Sequence, residues 1–439
     1  MVTWGVVTMM SNWILPAAGA VLAAATSGNN FGSSTSRLSM GLQRVEANGA
    51  SCAPRLSANG RFVVFESKAT NLVPHDGNER TDIFVFDLES RSTRRVSVAF
   101  DGSGANGDCF QPTISADGRR VAFLSTATNL VHDDTNGCAD VFVRDLTTQE
   151  TFRASITHDG KQSNAPSGAP FLTPDGRTVV FQSAASNLVP GDTNGKSDIF
   201  VHNLAAAQTL RITMGFDGSE ANGDSICPSA SDHASVIVFS SNASNLVPQD
   251  GNGTMDVFAF ERRTGKVSRI SASSAGEGNG LSKTSGPGSR CISNDGRLIV
   301  FESGASNLLH GDSNGKIDVF VFDRQQGVLS RASVSTSGAQ SDEDCSGAEI
   351  SANGRSVVFQ SASKMLAEGK STSSADVFLR DLPTAQTARV SMGQEGGEPD
   401  FHCVRPTVGF NGSVVMFESQ ATNLVDNDNN AVSDIFARK

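Results

Sequence analysis

Ser57-Ala58-Asn59-Gly60-Arg61-Phe62-Val63-Val64-Phe65-Glu66-Ser67-Lys68-Ala69-Thr70-Asn71-Leu72-Val73 decides the fold, because the chain repeats it. The pattern Ser-x-x-Gly-Arg-x-Val-x-Phe-x-Ser-x-Ala-x-Asn-Leu-Val starts again at Ser115, Thr173, Ser231, Ser293, Ser351 and Gly409, in steps of 58, 58, 58, 62, 58 and 58 residues. Each unit then carries Asp-(Ile/Val)-Phe, at Asp82, Asp140, Asp198, Asp256, Asp318, Asp376 and Asp434. Six units go on to an Arg-x-Ser/Thr run, at Arg95, Arg153, Arg211, Arg269, Arg331 and Arg389, whereas the seventh stops at Lys439. The run missing there stands at the front of the chain, as Ser36-Arg37-Leu38-Ser39-Met40.

A unit that finishes at the other end of the sequence is the mark of a circular array. Each unit offers four short runs of strand type, in the first case Ala53–Ser57, Phe62–Ser67, Asp82–Leu88 and Arg94–Val98. The second and third are rich in Val, Ile and Phe, as strands covered on both faces should be. Fourteen of the 26 Phe fall into two columns, Phe65 and Phe84 with six equivalents each, placed to pack between neighbouring units. The expectation is an all-β, seven-bladed β-propeller of four-stranded blades, closed by an N-terminal strand at 37–41 joining the last blade. Closure of that kind leaves no exposed edge. Residues 36–439 then form one domain, and 1–35 a separate leader.

Ser115-Ala116-Asp117-Gly118-Arg119-Arg120-Val121-Ala122-Phe123 followed by Asp140-Val141-Phe142-Val143-Arg144-Asp145-Leu146 resembles the repeat of TolB-type (WD40-like) β-propellers. The likeness covers residues 36–439, with seven units where the TolB domain has six and a long insertion between second and third strands. It implies a binding scaffold, often extracytoplasmic, and assigns no chemistry by itself. Proteolytic relatives of that repeat carry a hydrolase domain for which no residues remain here.

Composition narrows the function further. The 439 residues carry a formal net charge of −11. An acidic surface repels phosphate backbones, which argues against nucleic acid as a partner. No apolar run reaches the 18 or more residues that a membrane-spanning helix needs. There is no Tyr, and the only Trp are Trp4 and Trp13, so aromatic stacking platforms are scarce. The leader holds a short apolar stretch, Trp13–Ala25, followed by polar Thr26–Asn30. It resembles a secretory signal without a basic start, since no Lys or Arg precedes Arg37, and it points to an extracytoplasmic location.

Long second-to-third-strand loops and long blade-to-blade loops emerge together on one face, where function is expected to concentrate. The second-to-third loops carry Asp-x-Asn-x-x-x-Asp: Asp76/Asn78/Asp82, Asp134/Asn136/Asp140, Asp192/Asn194/Asp198, Asp250/Asn252/Asp256, Asp312/Asn314/Asp318 and Asp428/Asn430/Asp434. Blade six has Lys370 and Thr372 in place of the first two. Oxygen ligands at positions 1, 3 and 7 suit a hard cation such as Ca²⁺. The competing account is turn capping by Asp and Asn, with the last Asp fixing strand entry. Asn71 and its equivalents are read as bonding loop backbone, and the outer-strand Arg column as pairing across its hairpin with Asp87, Asp145, Asp323 and Asp381.

Six cysteines, Cys52, Cys109, Cys227, Cys291, Cys345 and Cys403, lie two to six residues before the repeat start, by the central channel; Cys138 stands apart. Either they are buried small hydrophobes, or neighbouring blades are joined by disulfides such as Cys52 with Cys109 or Cys403, and Cys291 with Cys345 or Cys227. No catalytic motif of the G-x-S-x-G, H-E-x-x-H or G-x-x-x-x-G-K-[ST] kind occurs. The reading that follows is a monomeric, non-enzymatic propeller that engages a protein or peptide through its long-loop face, with Ca²⁺ ordering the loops. The alternative is a propeller enzyme, a polysaccharide lyase or hydrolase, with its site at the channel mouth. Known propeller lyases would have several His converging on a metal, a set not found here. Convergence of two or more of His158, His402, Asp400 and Glu398 on one pocket would favour the enzyme, and scatter around the ring would count against it.

Overall fold

The computed structural model describes residues 34–273 and 276–439. Residues 1–33, and with them the stretch read as an export signal, lie outside them. Seven four-stranded antiparallel sheets follow one another along the chain. Blade one is Ser51–Leu56, Phe62–Ser67, Asp82–Asp87 and Ser92–Arg95, hydrogen-bonded in that order from the channel outward. In blade seven the strands Cys403–Val408, Val415–Ser419 and Asp434–Arg438 are completed by Thr35–Arg37, from the start of the chain. The propeller and its closure are as the repeat count requires. The closing strand begins two residues earlier than 37–41, because the chain turns once Ser39 donates its hydroxyl to Asp434. No helix among the described residues is long and apolar enough to cross a membrane.

The Phe columns explain the packing. Phe65 and Phe84 sit opposite each other in register and stack with centroids 5.9 Å apart, and all seven blades repeat the pair at 5.6–6.0 Å. The pair of one blade packs on the aliphatic face of the previous one: Phe123 and Phe142 lie against Val64, Ile83 and Val85. Truncating one such ring to Ala costs about 3–5 kcal/mol. The fourth strands stop at Arg95 rather than Val98. Ser97 leaves the ladder, accepts the Ile83 N–H at 3.0 Å and donates to Asp82.

Blade five departs from the pattern. Only Ser282–Lys283 pairs as its inner strand, where the others have six residues, and a single bridge resumes at Ile292. Five extra residues lie between them, and the loop before Ser282 is one residue shorter than its equivalents, which lengthens this unit from 58 to 62.

Candidate active site at the channel mouth

Each regular inner strand carries a bulge at its third residue, where the register slips by one. Ala53, Gln111, Ala169, Cys227 and Arg405 have φ between 47° and 55° there. A proline follows in five blades, Pro54, Pro112, Pro170, Pro228 and Pro406, tolerated because the innermost edge has no ladder partner. The bulge turns one N–H toward the preceding blade, and a side chain from that blade's second strand accepts it. Glu418 accepts from Ala53 at 2.8 Å, Glu66 from Gln111 at 2.7 Å, Gln182 from Cys227 at 3.0 Å and Gln360 from Arg405 at 2.7 Å. Where blade two has Leu124, the Gln111 side chain serves Ala169 instead, at 2.9 Å.

This latch lines the long-loop end of the channel with polar groups. Between blades seven, one and two it opens into a cavity of about 310 Å³, bordered by Arg55, Glu66, Phe110, Gln111, Ser289 and Arg405. Glu66 is 8% exposed and Glu418 likewise 8%. Burial pushes the carboxyls of both above the usual range, against the pull of the Gln111 N–H on Glu66 and of Arg405 on Glu418. Cys52 faces Glu66 at 3.5 Å, and burial with the nearby Glu66 pushes the thiol up to about 12. Arg405 pairs with Glu418 at 3.3 Å while its side chain remains 55% exposed. The mouth thus holds two carboxyls in different surroundings, one ion-paired and one not, beside an accessible guanidinium. That is the arrangement acid–base chemistry needs.

The Asp-x-Asn triples are each brought together on the long-loop rim, with their oxygens engaged by the chain itself. Arg95, Arg153, Arg211, Arg269 and Arg331 reach Asp76, Asp134, Asp192, Asp250 and Asp312 at 2.8–3.0 Å, and Arg37 reaches Asp428 at 2.8 Å. Asn78 donates to Asp82 at 2.8 Å, and Asn136, Asn194, Asn252, Asn314 and Asn430 donate to Asp140, Asp198, Asp256, Asp318 and Asp434 at 2.8–3.1 Å. In blade six the Lys370 ammonium donates to Asp376 at 2.6 Å and to the Ser374 carbonyl. A guanidinium therefore stands where a cation was expected to be held, and Ca²⁺ would have to displace it.

The outer-strand Arg column does not pair with Asp87 and its equivalents. Register places Arg95 opposite Phe84, close to Asp82 at the loop end, while Asp87 lies opposite Ser92. Asp87 pairs with Arg61 at 2.7 Å, and Asp145, Asp323 and Asp381 pair with Arg119, Arg297 and Arg355. The Asn column bonds loop backbone as expected, for example Asn129 donating to the Gly104 carbonyl at 3.0 Å. All seven cysteines are free thiols. Cys109 and Cys403 start their strands facing Ser125 and Ser419, where blade one has the hydroxyl pair Ser51–Ser67 at 2.9 Å.

His158, His402, Asp400 and Glu398 do not line the channel cavity. His402 accepts the Ala375 N–H at 2.8 Å, and Glu398 accepts from Ser371, Thr372 and Arg389 in the blade-six rim. One group of potential metal ligands does converge: Asp175, Asp232 and His233 bring one ligand atom each within 4.8 Å of the others. It lies in the first-to-second-strand turns, on the face opposite the cavity. Sequence reasoning passed over Glu66, Glu418, Arg405 and Arg55; the signal that could have found the two glutamates is the polar column at 66, 182, 240, 302, 360 and 418 inside an otherwise apolar strand, and no such column marks the two arginines.

No family profile and no curated protein sequence matches the chain. Solved structures do. An oligogalacturonate lyase in complex with manganese aligns over 93% of this chain and 94% of its own, at 11% identity and a TM-score of 0.56. The oligogalacturonate lyase of Vibrio parahaemolyticus aligns over 92% and 93%, at 11% identity and a TM-score of 0.54. TolB from Acinetobacter baumannii aligns over 82% of this chain and 66% of its own, at 17% identity and a TM-score of 0.42. At these identities the likeness establishes the β-propeller fold, with TolB proteins among those that share it. It also corrects the expectation of a non-enzymatic scaffold engaging a protein or peptide, because the architecture aligned over nine-tenths of both chains is that of lyases.

Proposed function

We propose that the protein is a propeller enzyme that cleaves uronate-bearing saccharide chains at the mouth of its channel. The observation that supports this best is the buried carboxyl of Glu66 on the cavity wall beside the accessible Arg405, which is paired at 3.3 Å with a second buried carboxyl, Glu418. Arg405 binds the sugar carboxylate and neutralises the charge that builds on it. Glu418, paired with Arg405, takes the proton from the carbon next to that carboxylate. The C–H electron pair becomes a C=C bond and the neighbouring C–O bond breaks. Glu66, its carboxyl pushed up by burial, gives its proton to the departing oxygen. An extracytoplasmic location accompanies this reading, since polymeric saccharides are met there and the leader has an apolar core.

Manganese, present with one of the lyases of like fold, does not suit the donors at this mouth. No His borders the cavity, and the Glu66 and Glu418 oxygens already accept N–H groups. The chemistry above is therefore assigned to side chains alone.

The test is turnover of uronate-containing and neutral oligosaccharides, read by ultraviolet absorbance of an unsaturated product and by new reducing ends. Unsaturated product from uronate chains is expected, undiminished in EDTA. Glu66→Gln and Glu418→Gln should each lower kcat by about 10²–10⁴-fold, and Arg405→Ala should raise KM as well. Reducing ends without unsaturation would make the enzyme a hydrolase. No turnover on any chain would overturn the proposal.

A further inference from the structure

We infer that the substrate enters this site end-on, because the segment 284–291 and Arg55 close the channel beneath it. The inference rests on the enzymatic reading above and adds the mode of attack. In six blades the inner strand runs the full depth of the channel wall; in blade five the ladder pairing ends at Lys283, Thr284 still donates its N–H to Ser240 of blade four at 2.8 Å, and the chain then crosses the bore. Three blades hold it there. Arg55 of blade one donates to the Pro287 carbonyl at 2.8 Å, the Gly288 carbonyl at 2.9 Å and the Ser289 hydroxyl at 3.3 Å. Blade two touches it at Gly288, whose φ is +74° and where a Cβ would lie 2.9 Å from Thr113. Arg290 reaches the Val408 carbonyl of blade seven at 3.4 Å.

The same Arg55 guanidinium lies 3.5 Å from the buried Glu349 of blade six. One side chain thus ties the plug to a carboxylate on the wall, and its own exposure is only 13%. Below the plug lies a void of about 20 Å³, lined by Arg55, Gly288, Arg290 and Glu349 among others. The short-turn face has a separate hollow of about 690 Å³, bordered by Asn59, Asn294 and Phe410. The bore is therefore two blind hollows rather than a tunnel. The upper one, at about 310 Å³, is at the small end for ligand sites of about 300–1,000 Å³. A saccharide chain cannot thread through it, and only a terminus can reach Glu66. Arg55 sets the depth of that pocket and acts as a specificity-determining residue.

The experiment uses the full chain and a uronate oligosaccharide of defined length, free or blocked at its ends by a bulky group. Products of a single short length should accumulate from the first turnovers, and blocking the ends should slow cleavage by about tenfold or more. A ladder of intermediate lengths, or equal rates on blocked chains, would overturn the inference while leaving the enzymatic reading standing. If no chain is cleaved, that reading fails first, and closure is judged without activity. Thiol labelling of Cys291, buried beside the plug, should be about tenfold or more faster in Arg55→Ala than in the parent. Equal labelling would show that Arg55 does not hold the channel shut. Arg55→Lys, which keeps the charge but loses the fork of donors, serves where the Ala variant does not fold.

Discussion

Lys370 shows how narrowly the ion-pair loops are drawn. Its side chain is wholly buried, and its ammonium replaces the Asn contact made to the strand-entry Asp elsewhere. Arg389, the outer-strand Arg of that blade, stays 3.7 Å from Asp376 and turns to Glu398 at 3.3 Å. A cation is thus retained even where the Asp-x-Asn pair is not. Removing it leaves Asp376 buried with one fewer compensating charge. Lys370→Ala should cost about 3 kcal/mol in denaturant unfolding, and a loss below about 1 kcal/mol would mean that Arg389 swings in to replace it. The sequence showed Lys370 as a lost site, because spacing reveals which residues are near one another but not which of them is already partnered.

At the scale of the element, the blade-to-blade loop is held by a side-chain clamp in addition to its own turn, in which the Ala99 N–H bonds the Ser103 carbonyl at 2.9 Å. Asn129 accepts the Asn106 N–H at 2.9 Å and donates to the Gly104 carbonyl, while Asn106 bonds Thr128 in return. Asn129→Ala leaves two backbone groups of that loop to water. The expected result is a loss of about 1–2 kcal/mol and faster amide exchange confined to residues 104–106; unchanged exchange there would show that the loop holds itself. The clamp was legible because its Asn recurs in six units beside Leu. The latch at the channel was not, although it recurs as often. Its acceptors vary from Glu66 to Gln182 to Ser240, and its donor is a main-chain N–H exposed only by a bulge. No side-chain pattern records that bulge except the proline after it. The plug was hidden in another way: a step of 62 residues is visible, but Gly286-Pro287-Gly288 reads as a surface turn, and only the fold shows that it points inward.

For the whole molecule, the buried strand-entry column governs how stability responds to pH. Burial pushes Asp82 up to about 6, against the pull of Ser97 and Asn78, and raises Asp198, Asp256, Asp318 and Asp434 in the same direction. In the unfolded chain these groups titrate near 4. Between the two values the folded protein binds more protons, so stability grows as pH falls from about 7 to about 5 and is lost as pH rises through about 6. His202, lowered to about 4 by burial, works the other way but is a single group. Glu220 and Glu398, held near 2 by hydrogen bonds and neighbouring Arg in spite of burial at Glu398, lose their contribution only in stronger acid. The melting temperature should therefore be higher at pH 5 than at pH 7, and the reverse order would show that the ion pairs outweigh burial.

The same seven repeats that make the fold legible would, if identical, give the channel a sevenfold axis. A ligand on such an axis has seven equivalent ways to sit, and none of them aligns one bond with one acid. The crossing segment from blade five abolishes that degeneracy. It assigns the bore a direction, leaves Glu66 and Arg405 bordering the hollow on the side it does not cover, and turns a ring of near-equal parts into a pocket with a single bearing.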